Sequence, residues 1–262
     1  MKIKIPDKIF GESINGSYQR YLDGDIPKQL TPETKTPINA NPNFSLEDKV
    51  GFFRATGVQY RNGIYQVDLL KSLLNDGSSK TQDEWIEFSK GAIGKDGFRL
   101  GDFPIHYALF NALYQNRTNP KYQQDIEQAK EFIKKQMFEK WLMTSTRTIY
   151  SQSGKDLVIH NHGLPDVYTL QEDIMGPDEW ITKTSNKTPY QALLGSDDVN
   201  QINNVFNWIT DKNSYLWRVN SKQNTERVAR FRADSDGVDL YCGRVPRYSD
   251  SALGVRGAKI KV

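Results

Sequence analysis

Glu226-Arg227-Val228-Ala229-Arg230-Phe231 opens the stretch ERVARFRADSDGVDLYCGRVPRYSDSALGVR (226–256), whose reading decides the fold. Its apolar and small residues recur at the period of two that a strand with one covered face requires. Between them stand Arg, Asp, Tyr and Gly in no chemical order. Alternation therefore divides the segment into a scaffold and its passengers. The scaffold is Val228, Ala229, Phe231, Ala233, Val238, Leu240, Cys242, Pro246 and Leu253-Gly254-Val255-Arg256. The passengers are Arg232, Asp234, Asp236, Asp239, Tyr241, Gly243, Arg244, Arg247, Tyr248 and Asp250. A scaffold that fixes its own backbone tolerates almost any polar or aromatic group facing water, so such a surface can change specificity without changing fold. Arg227 and Arg230 lie inside the scaffold, and at least one of them is expected in a buried ion pair, with Glu226 or an acid upstream.

The rest of the composition sets bounds on this reading. The 262 residues suffice for one large domain or two small ones, and a hydrophobic fraction of 37% supports a real core. Net charge is only +3, so nothing general points to nucleic acid. The basic excess is local: residues 215–262 hold ten Lys/Arg, seven of them Arg, against five Asp/Glu. Arginine suits bidentate contacts, which makes this end the better place for a binding surface. Cys242 is the single cysteine, so neither an intrachain disulfide nor a cysteine-based zinc site is expected. No apolar run approaches the ~20 residues of a membrane helix, and MKIKIPDKIFGES lacks the apolar centre of a general secretion signal. The expectation is a soluble chain, displayed on a particle or cell, if at all, through a partner.

Upstream the pattern changes twice. Residues 1–50 are rich in Pro, Asn and Gly, with a strand-like piece at Lys2–Ile5, and read as an extended arm preceding a domain over 51–262. Arg61-Asn62-Gly63, between aromatic and β-branched residues, predicts a hairpin centred on Asn-Gly. The spacing of Asp68-Leu69-Leu70-Lys71-Ser72-Leu73-Leu74 predicts a helix ended by Asp76-Gly77. Thr81-Gln82-Asp83-Glu84 is a capping box, Asp102-Phe103-Pro104 opens a helix to Tyr114, and Asn119-Pro120 begins the longest, to Met143. In that last helix Ile126, Ala129, Ile133, Met137 and Trp141 form one buried stripe. From Thr146 onward RTIYSQ and DLVIHNHG read as strands, Thr188-Pro189 and Ser196 start two helices, and YLWRV, ERVARFRA, VDLYCG and ALGVRGAKIKV read as strands. Helices and strands come in blocks, which favours α+β over a doubly wound sheet.

Candidate chemistry is sparse. His160-Asn161-His162 places two imidazoles on one side of a strand near Asp166 and the acidic run 171–179, but with no fixed third ligand a strand-end turn is the simpler reading. His106 sits among apolar helical neighbours and reads as structural. Cys242 alternates with Val238 and Leu240 on the apolar face and reads as a small buried residue rather than a nucleophile. There is no phosphate loop, serine elbow or HExxH, and no cofactor, metal or catalytic residue is expected. Tyr241 and Tyr248 among arginines offer rings for base stacking, yet Asp234, Asp236, Asp239 and Asp250 would repel phosphate, so nucleic acid is not the expected partner.

Trp217-Arg218 with Val219-Asn220, then ERVARF, a run of small and polar residues, and the closing Leu253-Gly254-Val255-Arg256 resemble the C-terminal variable region of diversity-generating retroelement proteins. Those proteins have a C-type-lectin fold of the formylglycine-generating-enzyme type, whose last strand carries Gly-Phe-Arg; here Val255 takes the aromatic's place. The wording is most similar to the archaeal and archaeal-virus members. The likeness covers about 215–257 well, 187–214 loosely and the first half hardly at all. It implies a lectin-like α+β domain with short antiparallel strands, several helices and much irregular structure. It also implies that a reverse transcriptase miscopying adenines scatters Asn-type codons into Tyr, Asp, Ser, Gly, Arg and others, the set to which the passengers belong. The implied function is non-enzymatic: a hypervariable face, monomeric, that binds a macromolecular ligand, expected to be a protein. The alternatives are an enzyme on the related formylglycine-generating scaffold, and a viral or cell-surface assembly component.

Overall fold

The computed structural model describes residues 43–260, except 94, 96 and 222, together with two short strands, β1 (Lys8–Ile9) and β2 (Glu12–Ser13). These two pair antiparallel within a compact unit spanning Met1–Thr34. The expected strand at Lys2–Ile5 and most of the expected arm lie outside the described residues. The second unit, Lys35–Val262, carries the rest. Its elements in chain order are β3 (Ser45–Lys49), β4 (Phe52–Tyr60), β5 (Gly63–Leu73), α1 (Gln82–Ala92), β6 (Arg99–Leu100), α2 (Phe103–Gln115) and α3 (Gln123–Glu139). There follow β7 (Leu142–Tyr150), β8 (Asp156–His160), β9 (Tyr168–Glu172), β10 (Glu179–Trp180), α4 (Thr188–Leu194), α5 (Val199–Thr210), β11 (Ser214–Trp217), β12 (Thr225–Ala233), β13 (Val238–Arg244) and β14 (Leu253–Lys259). The class is mixed α+β.

The first sheet has the order β3-β4-β5-β14-β6, antiparallel throughout. Its edge strand, β3, comes from what the sequence reads as arm, because Phe44 and Leu46 are buried against the core. The segment 68–74 is strand and not helix. Leu69 and Leu73 face the main core while Leu70 and Leu74 join a second cluster on the other side, so covering both faces of one strand reproduces helical spacing. Asp68 in the middle stands opposite Arg54 of β4 and Arg256 of β14. The β4–β5 turn holds Arg61 and Asn62, since Tyr60 pairs with Gly63, and Arg61 rather than glycine takes the positive φ of 51°. Gly254 is required by close approach: a Cβ there would lie 2.7 Å from Leu74 Cδ2.

The second sheet runs β10-β11-β13-β12-β7-β8-β9. All neighbours are antiparallel except β11 and β13. That parallel pair departs from the expected antiparallel set because β12 skips one place and its hairpin partner β13 fills the gap. Helix α2, capped by Asp102 through Ile105 N at 2.8 Å, is buried on nearly every side. Phe103 and Phe110 meet Phe231 of β12 at 5.6 and 5.9 Å between ring centroids. The capping box at Thr81 and Glu84 forms as expected. Helix α3 buries Ile126, Ala129, Ile133 and Met137, but stops at Glu139, where extended Lys140 turns the chain into β7. Trp141 therefore leaves the stripe. Among the described residues no helix is long and apolar enough to cross a membrane.

Candidate functional site

β12 and β13 form a hairpin closed by Asp234, whose Oδ1 accepts the N–H groups of Asp236 and Gly237 at 3.0 and 3.2 Å. One face of this hairpin is core: Phe231, Ala233, Val238, Leu240 and Cys242 are all within 1% of full burial. The opposite face carries Arg230 across from Tyr241 and Arg232 across from Asp239. β11 extends it, setting Trp217 beside Tyr241 and Tyr215 beside Asp239. So alternation sets most of the scaffold inward, but Val228, on the Arg230 side, joins the second cluster, and Pro246 and Arg256 are only half-buried.

Two of the ten passengers belong to the framework instead. Asp239 is 2% exposed and accepts Trp217 Nε1 at 2.9 Å and Arg232 Nε at 3.3 Å. Asp250 is 7% exposed, and both its oxygens take Arg230 Nη1 at 3.0 Å. Its backbone carbonyl also accepts Trp85 Nε1 and Lys80 N. Strand alternation assigned Asp239 to the right face, but neighbours on that face cover it. Arg230 is the buried arginine, and its partner Asp250 lies downstream, not upstream. Glu226 pairs with Arg147, which also holds Asp83. Burial pushes the Arg230 guanidinium down to about 10; Asp250 counters this, and the nearby Arg244 adds to it.

Arg232, Tyr241, Gly243, Arg244 and Tyr248 are half-buried and reach the surface in part, Arg247 is exposed, and Asp234 and Asp236 stand at the hairpin turn. A Cβ on Gly243 would meet only the far end of the Tyr241 ring, at 3.3 Å. Arg244 and Arg247 both lie over the ring of Tyr248, at 4.3 and 5.4 Å. The residue that sequence reasoning missed is Trp141. Arg230 and Arg232 stack over its ring at 3.5 and 4.4 Å, and Tyr241 meets it edge-on at 5.5 Å. The signal that would have found it is the change of period at Lys140, after which LMTSTRTIY reads as strand.

Framework groups fix this face from behind. Arg218 is buried and spends its guanidinium on Pro177 O and Glu179, while its backbone N–H donates to Asp178 at 2.7 Å. Burial pushes the Asp178 carboxyl up to about 6 against that hydrogen bond. Cys242 is fully buried and its thiol is pushed up to about 12 by burial, which leaves no thiolate at neutral pH. The histidines do not share a strand face: β8 ends at His160, and Asn161 turns the chain with φ 50°. His160 bonds to Thr146 and Ala192 O, whereas His162 lines an open recess of about 510 Å³ with Asp83 and Glu87. His106 is buried, its Nδ1 bonded to Asp102 O. Among the described residues no group of three His, Cys, Asp or Glu is placed to hold a metal ion. Aromatic rings, guanidiniums and short polar groups on a rigid sheet suit non-covalent recognition. No family model matches this chain, and comparison with curated proteins and with solved structures returns no match.

Proposed function

We propose that this chain is a non-enzymatic binding protein of the diversity-generating retroelement class. Its C-terminal hairpin presents exchangeable side chains on a lectin-like platform to a macromolecular ligand. The observation that supports this is the division of labour across β12 and β13. Side chains on one face close the core and set the backbone, while Arg232, Tyr241, Gly243, Arg244, Arg247 and Tyr248 reach the surface and none fills the core. A change at these six positions spares the core face of the hairpin, which Phe231, Ala233, Val238, Leu240 and Cys242 make. Rigid aromatic anchors beside adaptable polar groups are the economical composition for such a face.

The test is to sequence the gene and its flanks in closely related isolates. Differences should concentrate at those six positions, spare Asp239 and Asp250, and accompany a near-copy repeat and a reverse transcriptase gene. Differences spread evenly over the chain, with no second copy nearby, would reduce the hairpin to an ordinary sheet surface.

A further inference from the structure

The two ends of the exposed face differ in how completely their charges are used. At the hairpin end Arg232 bonds to Asp234 at 2.7 Å and to Asp239 at 3.3 Å. The oxygens of these acids also take Trp217 Nε1 and the turn N–H groups, so acceptors and donors balance. At the other end two guanidiniums, Arg230 and Arg244, share one carboxylate, and a third, Arg247, joins Arg244 over the ring of Tyr248. Asp250 lies 3.0 Å from Arg230 Nη1 and 3.3 Å from Arg244 Nε, and among the described residues Arg247 has no ion-pair partner. Nε of Arg230 and Nε of Arg244 are buried and make no hydrogen bond. A buried donor left unsatisfied is costly, and the guanidiniums of this corner that an incoming acceptor can reach are Arg244, 20% exposed, and the exposed Arg247. Burial is the main cause that pushes the Arg230 guanidinium down; Asp250 counters it and Arg244 adds to it.

Resting on the binding-face reading, we infer that this corner takes the carboxylate of an aspartate or glutamate in a protein ligand, with an apolar or aromatic residue of the same segment against Trp141 and Tyr241. Guanidinium forks match a carboxylate with two parallel bonds, and the neighbouring rings supply the apolar ledge. A nucleic acid fits less well. Asp239 stands five residues from Arg244 on the same strand, roughly 16 Å at strand rise, so a polyanion long enough to fill the corner would run along the strip into Asp234, Asp236 and Asp239. One discrete carboxylate needs only the corner.

The experiment is selection of a displayed random peptide library on the full chain, in parallel with Arg244→Gln/Arg247→Gln, Tyr241→Ser and Trp141→Ala, each confirmed folded by circular dichroism. Peptides enriched on the parent should carry Asp or Glu beside Trp, Phe or Leu, and their affinity should fall at least about tenfold on the double arginine variant, the scale of one lost charged contact. Enriched peptides with no acidic excess, or with equal affinity for the double variant, overturn the carboxylate assignment. So does tighter binding of oligothymidine than of any peptide. Should Tyr241→Ser weaken those same peptides, the binding-face reading survives that failure. Should none of the variants change binding, or no peptide be enriched, both fall. Tyr241→Ser removes only a partly exposed ring, so it stands in if Trp141→Ala does not fold.

Discussion

Two carboxylates are each shared between two arginines, Asp68 within β5 of the first sheet and Asp250 in the segment that follows β13, and the difference between them separates a clasp from a site. Asp68 stands between Arg54 and Arg256 in register across three strands and receives four side-chain hydrogen bonds of 2.6–3.0 Å from them. Both guanidiniums present Nε and Nη2 together: Arg54 to the two oxygens in parallel, the fork geometry that makes such pairs strong, and Arg256 with both nitrogens on Oδ2. Asp250 engages Arg230 through a single nitrogen, Nη1, and Arg244 only at 3.3 Å. Arg54 and Arg256 also lie over Phe52, with Arg256 over Phe98, whereas Arg230 is held between Trp141 and Tyr241. An aspartate, two arginines and aromatic rings thus make a closed unit around Asp68 and an open one around Asp250.

The largest effect should come from removing the acid whose partner cannot reach water. Arg230 has a side chain 4% exposed, so Asp250→Ala should cost about 3–5 kcal/mol in urea unfolding, the usual result of leaving a buried charge unpaired. Loss of less than about 1 kcal/mol would mean that Arg230 finds solvent or another acceptor. Asp68→Ala should cost less, about 2 kcal/mol, although its bonds are better, because Arg54 and Arg256 are 30% and 27% exposed and can rehydrate. If the order of the two variants reverses, bond geometry and not burial of the partner governs these clusters.

How far the sequence carries depends on whether a contact is local. The scaffold of the final hairpin is legible because alternation is a property of one strand, and Ala229, Phe231, Val238, Leu240 and Cys242 are all buried as the pattern requires, while Val228 on the other side is buried by the second cluster. The caps at Thr81 and Asp102 are legible for the same reason. Segment 68–74 misleads, since leucines on both faces of a doubly covered strand mimic a helical stripe until β4 and β14 are known to flank it. Asp239 and Asp250 alternate like exposed residues; their burial depends on Trp217, Arg230 and the loop at Lys80, which no local pattern connects. Trp141 belongs to the face only because α3 ends two residues earlier.

A third acid beside an arginine sharpens the contrast with the smallest effect. Burial alone would push Asp68 up, yet the hydrogen bonds from Arg54 and Arg256 hold it below the ordinary carboxylate value. Asp178 is also next to an arginine, but Arg218 turns its guanidinium to Pro177 O and Glu179 and offers Asp178 only a backbone N–H. Burial then wins, and the carboxyl is pushed from 3.8 up to about 6. Below 3.8 the group is protonated in folded and unfolded chains alike and costs nothing. As pH rises toward 6 the unfolded chain releases its proton first, so folding stability falls across that window. Asp68 acts in the opposite sense, since the stability it contributes is lost as pH falls. The full shift would be worth ~3 kcal/mol, and water at the partly exposed carboxylate reduces this to about 1 kcal/mol. Asp178→Asn keeps an acceptor for Arg218 N and removes the penalty. The variant should therefore unfold about 1 kcal/mol later than the parent at pH 7 and together with it near pH 3, measured by urea titration at each pH. A variant less stable than the parent at pH 7 would mean that the carboxylate is engaged by Arg218 after all, and that Asp178 belongs with Asp68.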